Sequence, residues 1–600
     1  MNETAPGLAK TAPYVTRSTL RAALARAALR ARAEGALTLA EETLSFRELP
    51  PFVVERAPAG RGDFASNAAL VLAAAVGMPG AAVAALLGEH LQQSEVWRGA
   101  RVFQVEEANG FLNFRFDDNF LGEQIARALR EGARYGSGTA LAGTRINVEF
   151  VSTDPTGPLP FGAGRIAATG EALCRLLEFQ GAAVTREFFL NDTETSSKMR
   201  LLGESVAAFY LQAFGHGGDA RPPRPEGALE DDFVRDVAAS IVQREGNSYL
   251  LVPEAERAAA FAHQAREAAV AAQQRTLRDF GVRFDVWTSE EALRREGRIA
   301  AVVRKLQERG QLYVREDTLW LRSTEFGDET DRPLVRSNGE PSYLAADIAY
   351  HCFKFERGFD LLLNIWTAQH RPYVARTRAA LRAAGCDANR LEVLLCENAR
   401  LLRDGAFLAS GRDGGHPTLE QALQDIDAAT LRFWFLQRNW DDISEIDLES
   451  ARRADETNPA YAARLAPARL GTMIRQLEAL PATAPDPEPA AESSTASSTA
   501  WSTEERELAR LVALWPDEAE TAARERQPQR VARFVVEIAA VVRRLLAAET
   551  GNAEARNAES QNQESQNQES RRARLPLLRA AQITVSNALR ALGIEPDEKF

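Results

Sequence analysis

The chain has 600 residues, 45% of them hydrophobic and 26% charged, an ordinary globular composition with room for two to four domains and at least one large core. Its net charge of −12 argues against an indiscriminate nucleic-acid binder but allows one local basic face. No apolar run reaches the ~18 residues of a membrane span, the N-terminus lacks the pattern of a secretory leader, and Cys174, Cys352, Cys386 and Cys396 form no CxxC pair. The expectation is therefore a cytoplasmic chain with no membrane contact, no metal site and no disulfide framework.

In chain order, residues 19–45 read as an Ala/Arg/Leu helix. "RGDFASNAALVLAAAVG" gives a polar turn and an apolar helix, and "VFQVEEANGFLNFRF" alternates about Asn-Gly as a hairpin. Residues 1–125 are thus expected to form a small α+β domain. "RINVEFV" (145–151) alternates as a strand, "STDPTGPLPFGAGR" follows as a turn, and "RIAATGEALCRLLEFQG" is a helix that stops at Gly181. "AVTREFFLND" is the next strand, so the unit opens a parallel sheet. Residues 203–310 read as a mostly helical insertion, "LYVREDTLWLRS" as a hairpin and "LEVLLCEN" as a further strand. The α/β body is expected over 140–427, and from 428 to 600 the pattern is all helical. Two Pro/Ala/Ser-rich or repetitive stretches, 481–502 and 551–572, read as disordered loops.

The turn at 152–165 is the chemical focus. A strand–turn–helix unit leaves free N–H groups at the carboxyl edge of the sheet, where phosphates bind. Gly157, Gly162 and Gly164 would let a nucleotide approach the backbone. Taken alone, the turn reads equally well as a tight connection.

The surrounding sequence resembles the arginyl-tRNA synthetases, a class I family. The resemblance is carried by "VEFVSTDPTGPLPFGAGRIAATGEALCRLLEFQGAAVTREFFLND", "RFDVWTSEEAL", "SYLAADIAYHCFKFERGFDLLLNIW", "RLLRDG" and "NALRALGIEPDEKF", in order, from about residue 45 to the C-terminus. It implies a Rossmann-type parallel sheet between an N-terminal tRNA-contacting α+β domain and a C-terminal helical anticodon-binding domain. It also implies the reaction of ATP, arginine and tRNA(Arg) through arginyl-adenylate, with Mg2+ accompanying ATP, no bound organic cofactor, and a monomer.

The family's His-x-Gly-His signature reads Pro160-Phe161-Gly162-Ala163 here, and its Lys-Met-Ser-Lys loop reads Leu408-Ala409-Ser410-Gly411, followed by Arg412. One lost transition-state donor typically costs about 3–4 kcal/mol, so adenylate formation is expected to be slow. By resemblance, Gly162, Gly164, Arg165, Ser410 and Arg412 form the catalytic set, with Arg165 and Arg412 the cations left to meet phosphate. Pro155, Thr156, Gly157, Pro160, Gly162, Ala163 and His370 line ATP. Ser152, Asn191, Tyr343 and Asp347 hold arginine, the last two at i,i+4 on one helix face, where a carboxylate suits a guanidinium. Asn458, Tyr461 and Arg469 match a helix that faces tRNA. His351 also falls in the matched segment. Two functions stay open at this point: a working arginine–tRNA ligase, or a catalytically weak paralogue that binds arginine, tRNA or a protein.

Overall fold

The computed structural model describes residues 14–37, 49–58, 60–92, 103–193, 196–215, 226–229, 231–408, 417–480, 501–555 and 571–597, with backbone alone at 103 and 550–555. The first helix, Arg17–Ala33, is fixed at its start by a Thr16 capping box and stops earlier than its composition suggests, at a turn through Gly35. The expected hairpin pairs Phe103–Ala108 with Phe111–Phe116 about Asn109 and Gly110, both at positive φ, as a two-residue turn of this type requires. It joins two short strands, Val54–Arg56 and Phe64–Ser66, in a four-stranded antiparallel sheet.

The central sheet has five parallel strands. Arg145–Glu149 lies in the middle, Ala183–Leu190 and Val286–Ser289 extend one side, and Leu361–Thr367 and Leu391–Cys396 extend the other. The chain therefore builds outward from Arg145–Glu149, crosses back, and builds the other way. That reversal opens a crevice beyond the carboxyl ends of Arg145–Glu149 and Leu361–Thr367, where ligands bind in such sheets. The helix Phe161–Phe179 covers the middle strand closely because Gly170 has no side chain: a Cβ there would lie 2.4 Å from the Phe150 ring.

Three expectations change. The helical insertion consists of Ser197–Ala213, Asp232–Glu245 and Glu254–Asp279, which share their own apolar cluster. Val286–Ser289 within the expected insertion is instead the edge strand, and four residues are too few to show a period. The segment after 428 is not all helical, because Ser444–Asp447 pairs in parallel with Ala399–Arg403. Of the two stretches read as loops, 481–500 and 556–570 lie outside the described residues. Ser502 caps the helix Thr503–Arg524, and the helix from Gln529 continues to Ala555.

The two ends of the chain are bolted together. Arg17, buried at the start of the first helix, gives its backbone N–H and Nε to Asp517 (2.6 and 2.8 Å) and Nη2 to Glu518 (2.7 Å). Burial pushes the Asp517 carboxyl up to about 6 even though Arg17 pulls it down. Trp515 Nε1 donates to the Tyr135 carbonyl (2.9 Å), and Tyr135 Oη donates back to the Val512 carbonyl (2.9 Å). Removing one partner of such a buried pair typically costs about 3–5 kcal/mol. Arg17→Ala should therefore lower the unfolding free energy measured by urea titration by that amount; a loss under ~1 kcal/mol would show the contact to be peripheral.

Candidate functional site

Five segments leave the carboxyl ends of the parallel strands, and nine of the eleven candidate residues for arginine and ATP sit on three of them, those after Arg145–Glu149, Ala183–Leu190 and Leu361–Thr367; Tyr343 and Asp347 sit on the helix that leads into Leu361–Thr367. After Arg145–Glu149 the backbone takes two consecutive left-handed residues, Val151 (φ 71°) and Ser152 (φ 33°). For a β-branched valine that is a genuine outlier, and such strain gathers at functional sites. It is held in place: Ser152 Oγ accepts from the Phe189 N–H (3.1 Å) on the neighbouring strand. Fully buried Gln273 then staples the loop, donating Nε2 to the carbonyls of Asp154 (3.1 Å) and Gly157 (2.9 Å). Pro155, Thr156 and Gly157 are therefore presented by a fixed turn.

At Pro160 the helix Phe161–Phe179 begins, with Pro160 exposed as its N-cap. The segment that begins at Pro417, downstream of the second signature stretch, pairs with the first one here. Phe161 N–H donates to the Pro417 carbonyl (2.8 Å), and Leu419 N–H donates to the Leu159 carbonyl (2.9 Å). Ser410 and Arg412 lie outside the described residues. Phe161 turns inward against Phe435 (ring centroids 5.1 Å apart) and so does not fill the crevice.

Two residues of this helix differ from expectation. Gly164 is a packing glycine, since a Cβ there would meet Leu419 at 2.7 Å and Phe435 at 3.0 Å; it faces protein rather than nucleotide. Gly162 keeps room, its nearest neighbour being Asn398 at 3.5 Å. Arg165 is fully buried and its guanidinium is committed to four carbonyls, those of Glu397, Asn398, Asp442 and Asn439, at 2.5–3.1 Å. It ties the helix to the following strands and has no reach to spare for a phosphate.

On the other flank, Asn191 and Asp192 follow Ala183–Leu190. Asp192 is buried and accepts from Ser289 Oγ (2.8 Å) and the Glu291 N–H (3.1 Å). Burial, reinforced by Asp192, Glu291 and Asp154, pushes the neighbouring Glu290 carboxyl up to about 7 against the pull of Arg294. Across the crevice, His370 follows Leu361–Thr367, with Nδ1 2.7 Å from Thr367 Oγ1.

The helix Tyr343–Glu356 supplies the pair expected to hold arginine. Tyr343 is exposed in its first turn, and Asp347 stands one turn later with about a third of its side chain (34%) exposed. Asp347 Oδ2 accepts from Thr377 Oγ1 (3.0 Å) and Oδ1 lies 3.3 Å from His351 Nδ1. Burial would raise the Asp347 carboxyl, but His351 and Thr377 outweigh it and hold the group below the usual carboxylate range. For His351 the balance is mirrored: burial lowers it, Asp347 raises it, and the net direction is up. The result is an ionised carboxylate at a half-dry wall, which suits a guanidinium.

Behind His351 lies a polar chain that sequence reading missed. Asn364 Nδ2 is 2.8 Å from His351 Nε2, and fully buried Lys354 donates to Glu149 Oε2 (2.5 Å) and Asn364 Oδ1 (3.3 Å). The available signals were Asn364 as a lone polar residue inside the apolar run "LLLNIW", and Lys354 as one of five lysines in the chain.

The candidates expected to face tRNA separate. Asn458 is buried and satisfied: Oδ1 caps the helix Pro459–Glu478 at Ala460 N–H (3.0 Å) and accepts from Trp434 Nε1 (3.1 Å), while Nδ2 donates to two carbonyls. That is a structural position. Arg469 is ion-paired with Glu456. Tyr461 lines a cavity of about 840 Å³ together with Arg452, Arg453, Arg464 and Asp597.

Comparison with known proteins agrees with this geometry. Residues 17–116 match the arginyl tRNA synthetase N terminal domain, and residues 465–600 match the DALR anticodon binding domain. Arginine–tRNA ligases of Desulfitobacterium hafniense and Moorella thermoacetica are 35% and 36% identical, covering 97% and 98% of this chain and 99% of each relative. The Thermus thermophilus arginyl-tRNA synthetase structure has the same fold at 20% identity, TM-score 0.71, covering 98% of this chain and 100% of that one. With a carboxylate wall at its crevice and full-length identity above one third, the chain belongs to the arginine–tRNA ligase family.

Proposed function

We propose that this arginine–tRNA ligase binds arginine and ATP in the crevice between the ends of Arg145–Glu149 and Leu361–Thr367. The observation that carries this reading is the Asp347 carboxylate, kept ionised at the crevice wall by His351 and Thr377. Asp347 receives the guanidinium and Tyr343 closes over it. Ser152 and Asn191 sit at the strand ends where the amino and carboxyl groups of arginine would lie. ATP lies along Pro155–Gly157, Pro160, Gly162 and Ala163, with His370 toward the adenosine. Attack of the arginine carboxylate on the α-phosphorus gives arginyl-adenylate and pyrophosphate, and the tRNA terminal hydroxyl then takes the arginine and releases AMP. Mg2+ would accompany the nucleotide and would neutralise charge on its phosphates.

With Arg165 committed to carbonyls, the Phe161 N–H given to Pro417 and the Ala163 N–H given to Pro160, phosphate charge falls to the Gly162 N–H at the helix start and to Ser410 and Arg412. The N-terminal α+β region and the helices after 428 carry tRNA, with Tyr461 offering a ring at the 840 Å³ cavity. No single helix among the described residues is long and apolar enough to cross a membrane, and we assign a cytoplasmic monomer.

The test is charging of tRNA(Arg) with labelled arginine, run beside ATP–pyrophosphate exchange with and without tRNA. Asp347→Asn should raise the arginine KM at least ~100-fold with little change in the KM for ATP. An unchanged arginine KM would place arginine elsewhere. Pro160→His, at an exposed N-cap, restores both a side-chain donor and a backbone N–H. It should speed pyrophosphate exchange about 10- to 1,000-fold, and no gain would show that the missing imidazole is not what limits the site.

A further inference from the structure

The buried chain behind Asp347 has only one consistent arrangement of hydrogens. Lys354 is an ammonium with donors only. It lies 2.5 Å from Glu149 Oε2 and 3.3 Å from Asn364, so the Asn364 amide must turn its oxygen toward Lys354. Its NH2 then faces His351 Nε2 at 2.8 Å, and that nitrogen must be the acceptor. The ring proton is left on Nδ1, shared between the Asp347 carbonyl (2.8 Å) and Asp347 Oδ1 (3.3 Å). Each link is buried: His351 is 1% exposed, and Lys354 and Asn364 are 0% exposed. In such surroundings a reversed amide would put two donors face to face.

We propose that Lys354, Asn364 and His351 are positioning residues for arginine recognition, setting the tautomer and orientation through which His351 aims the Asp347 carboxylate at the guanidinium. The proposal rests on the reading that Asp347 receives that group. Lys354 reaches the substrate wall only through two intermediaries, so its role is to orient.

The arrangement makes arginine binding sensitive to acid. His351 is faced by Asp347 and Lys354 on its own helix, by Glu149 and Asn364 on the two central strands, by Thr377 through Asp347, and by the Cys386 thiol, which the Cys352 hydrogen bond and the charge of His351 pull down to about 7. Asp347 pulls the imidazole up. As pH falls through the imidazole range, Nε2 gains a hydrogen that points at the Asn364 NH2. The amide must then turn its NH2 toward the Lys354 ammonium, and the chain loses its single arrangement. Asp347 itself titrates lower, so it does not account for this limb. Glu290, pushed up to about 7 by burial on the opposite flank, and the Cys386 thiol, held down near 7 by Cys352, are present in wild type and His351→Gln alike, so the difference between the two reads the imidazole.

The experiment is calorimetric binding of L-arginine to the full chain between pH 6 and 8.5, without ATP, for wild type, His351→Gln, His351→Ala and Asp347→Asn, with melting temperatures as a folding control. Glutamine can donate to Asp347 and accept from Asn364 but does not titrate. His351→Gln should bind within about threefold of wild type at pH 8.5 and lose at least half of the acid weakening, measured in log Kd. His351→Ala should bind about tenfold more weakly than wild type at pH 8.5 and, having no imidazole, should also lose at least half of the acid weakening. Identical pH profiles for wild type and His351→Gln, or unchanged affinity in a folded His351→Ala, would overturn the proposal while leaving the Asp347 assignment standing. Unchanged affinity in Asp347→Asn would instead remove the reading on which it rests.

Discussion

A carboxylate that must stay ionised at a half-dry wall constrains everything near it. Asp347 keeps about a third of its side chain exposed, so burial alone would favour its protonated form and weaken its hold on a cation. Thr377 and His351 supply the opposing donors, and hydrogen bonds to a charged group are worth roughly 1.5–3 kcal/mol each. His351 in turn depends on Asn364, and Asn364 on the Lys354–Glu149 pair. The pocket wall is thus continuous with the middle of the sheet, because Glu149 and Asn364 belong to the two strands whose ends frame the crevice.

The sheet provides the stiffness this chain of contacts needs. The middle strand ends in strained Val151 and Ser152, pinned by Phe189 and followed by a loop stapled from Gln273. Gly170 brings the covering helix down onto Phe150, and Arg165 ties that helix to four carbonyls beyond the crevice. Arg165 illustrates how an arginine-rich chain uses its cations. Many are structural, and Arg165, in the first turns of the helix that follows the glycine-rich turn, is occupied. The loss of both signature motifs is therefore not offset by Arg165.

Much of the fold was legible because periodicity was long enough to count. The strand at 145, the helix ending at Gly181 and the Asn109–Gly110 hairpin each carry several turns or pairs of evidence. Short elements were not legible: Val286–Ser289 and Ser444–Asp447 have four residues each, and only their partners make them strands. Among site residues, spacing placed Tyr343 and Asp347 on one helix correctly. It could not show that Arg165, Gly164 and Asn458 spend their chemistry on the protein itself, since that depends on what folds against them. Nor could it join Glu149, Lys354 and Asn364, which the chain separates by up to 215 residues.

The central claim is electrostatic: the crevice recognises a charged guanidinium through one ionised carboxylate. Citrulline has nearly the shape of arginine but is neutral at the side-chain end, so comparing L-arginine with L-citrulline binding to the wild-type chain at pH 8 reads that charge directly. Binding of arginine at least ~100-fold tighter than citrulline is the predicted result. Equal affinities would contradict the account, because shape alone would then explain recognition and Asp347 would have no substrate to hold.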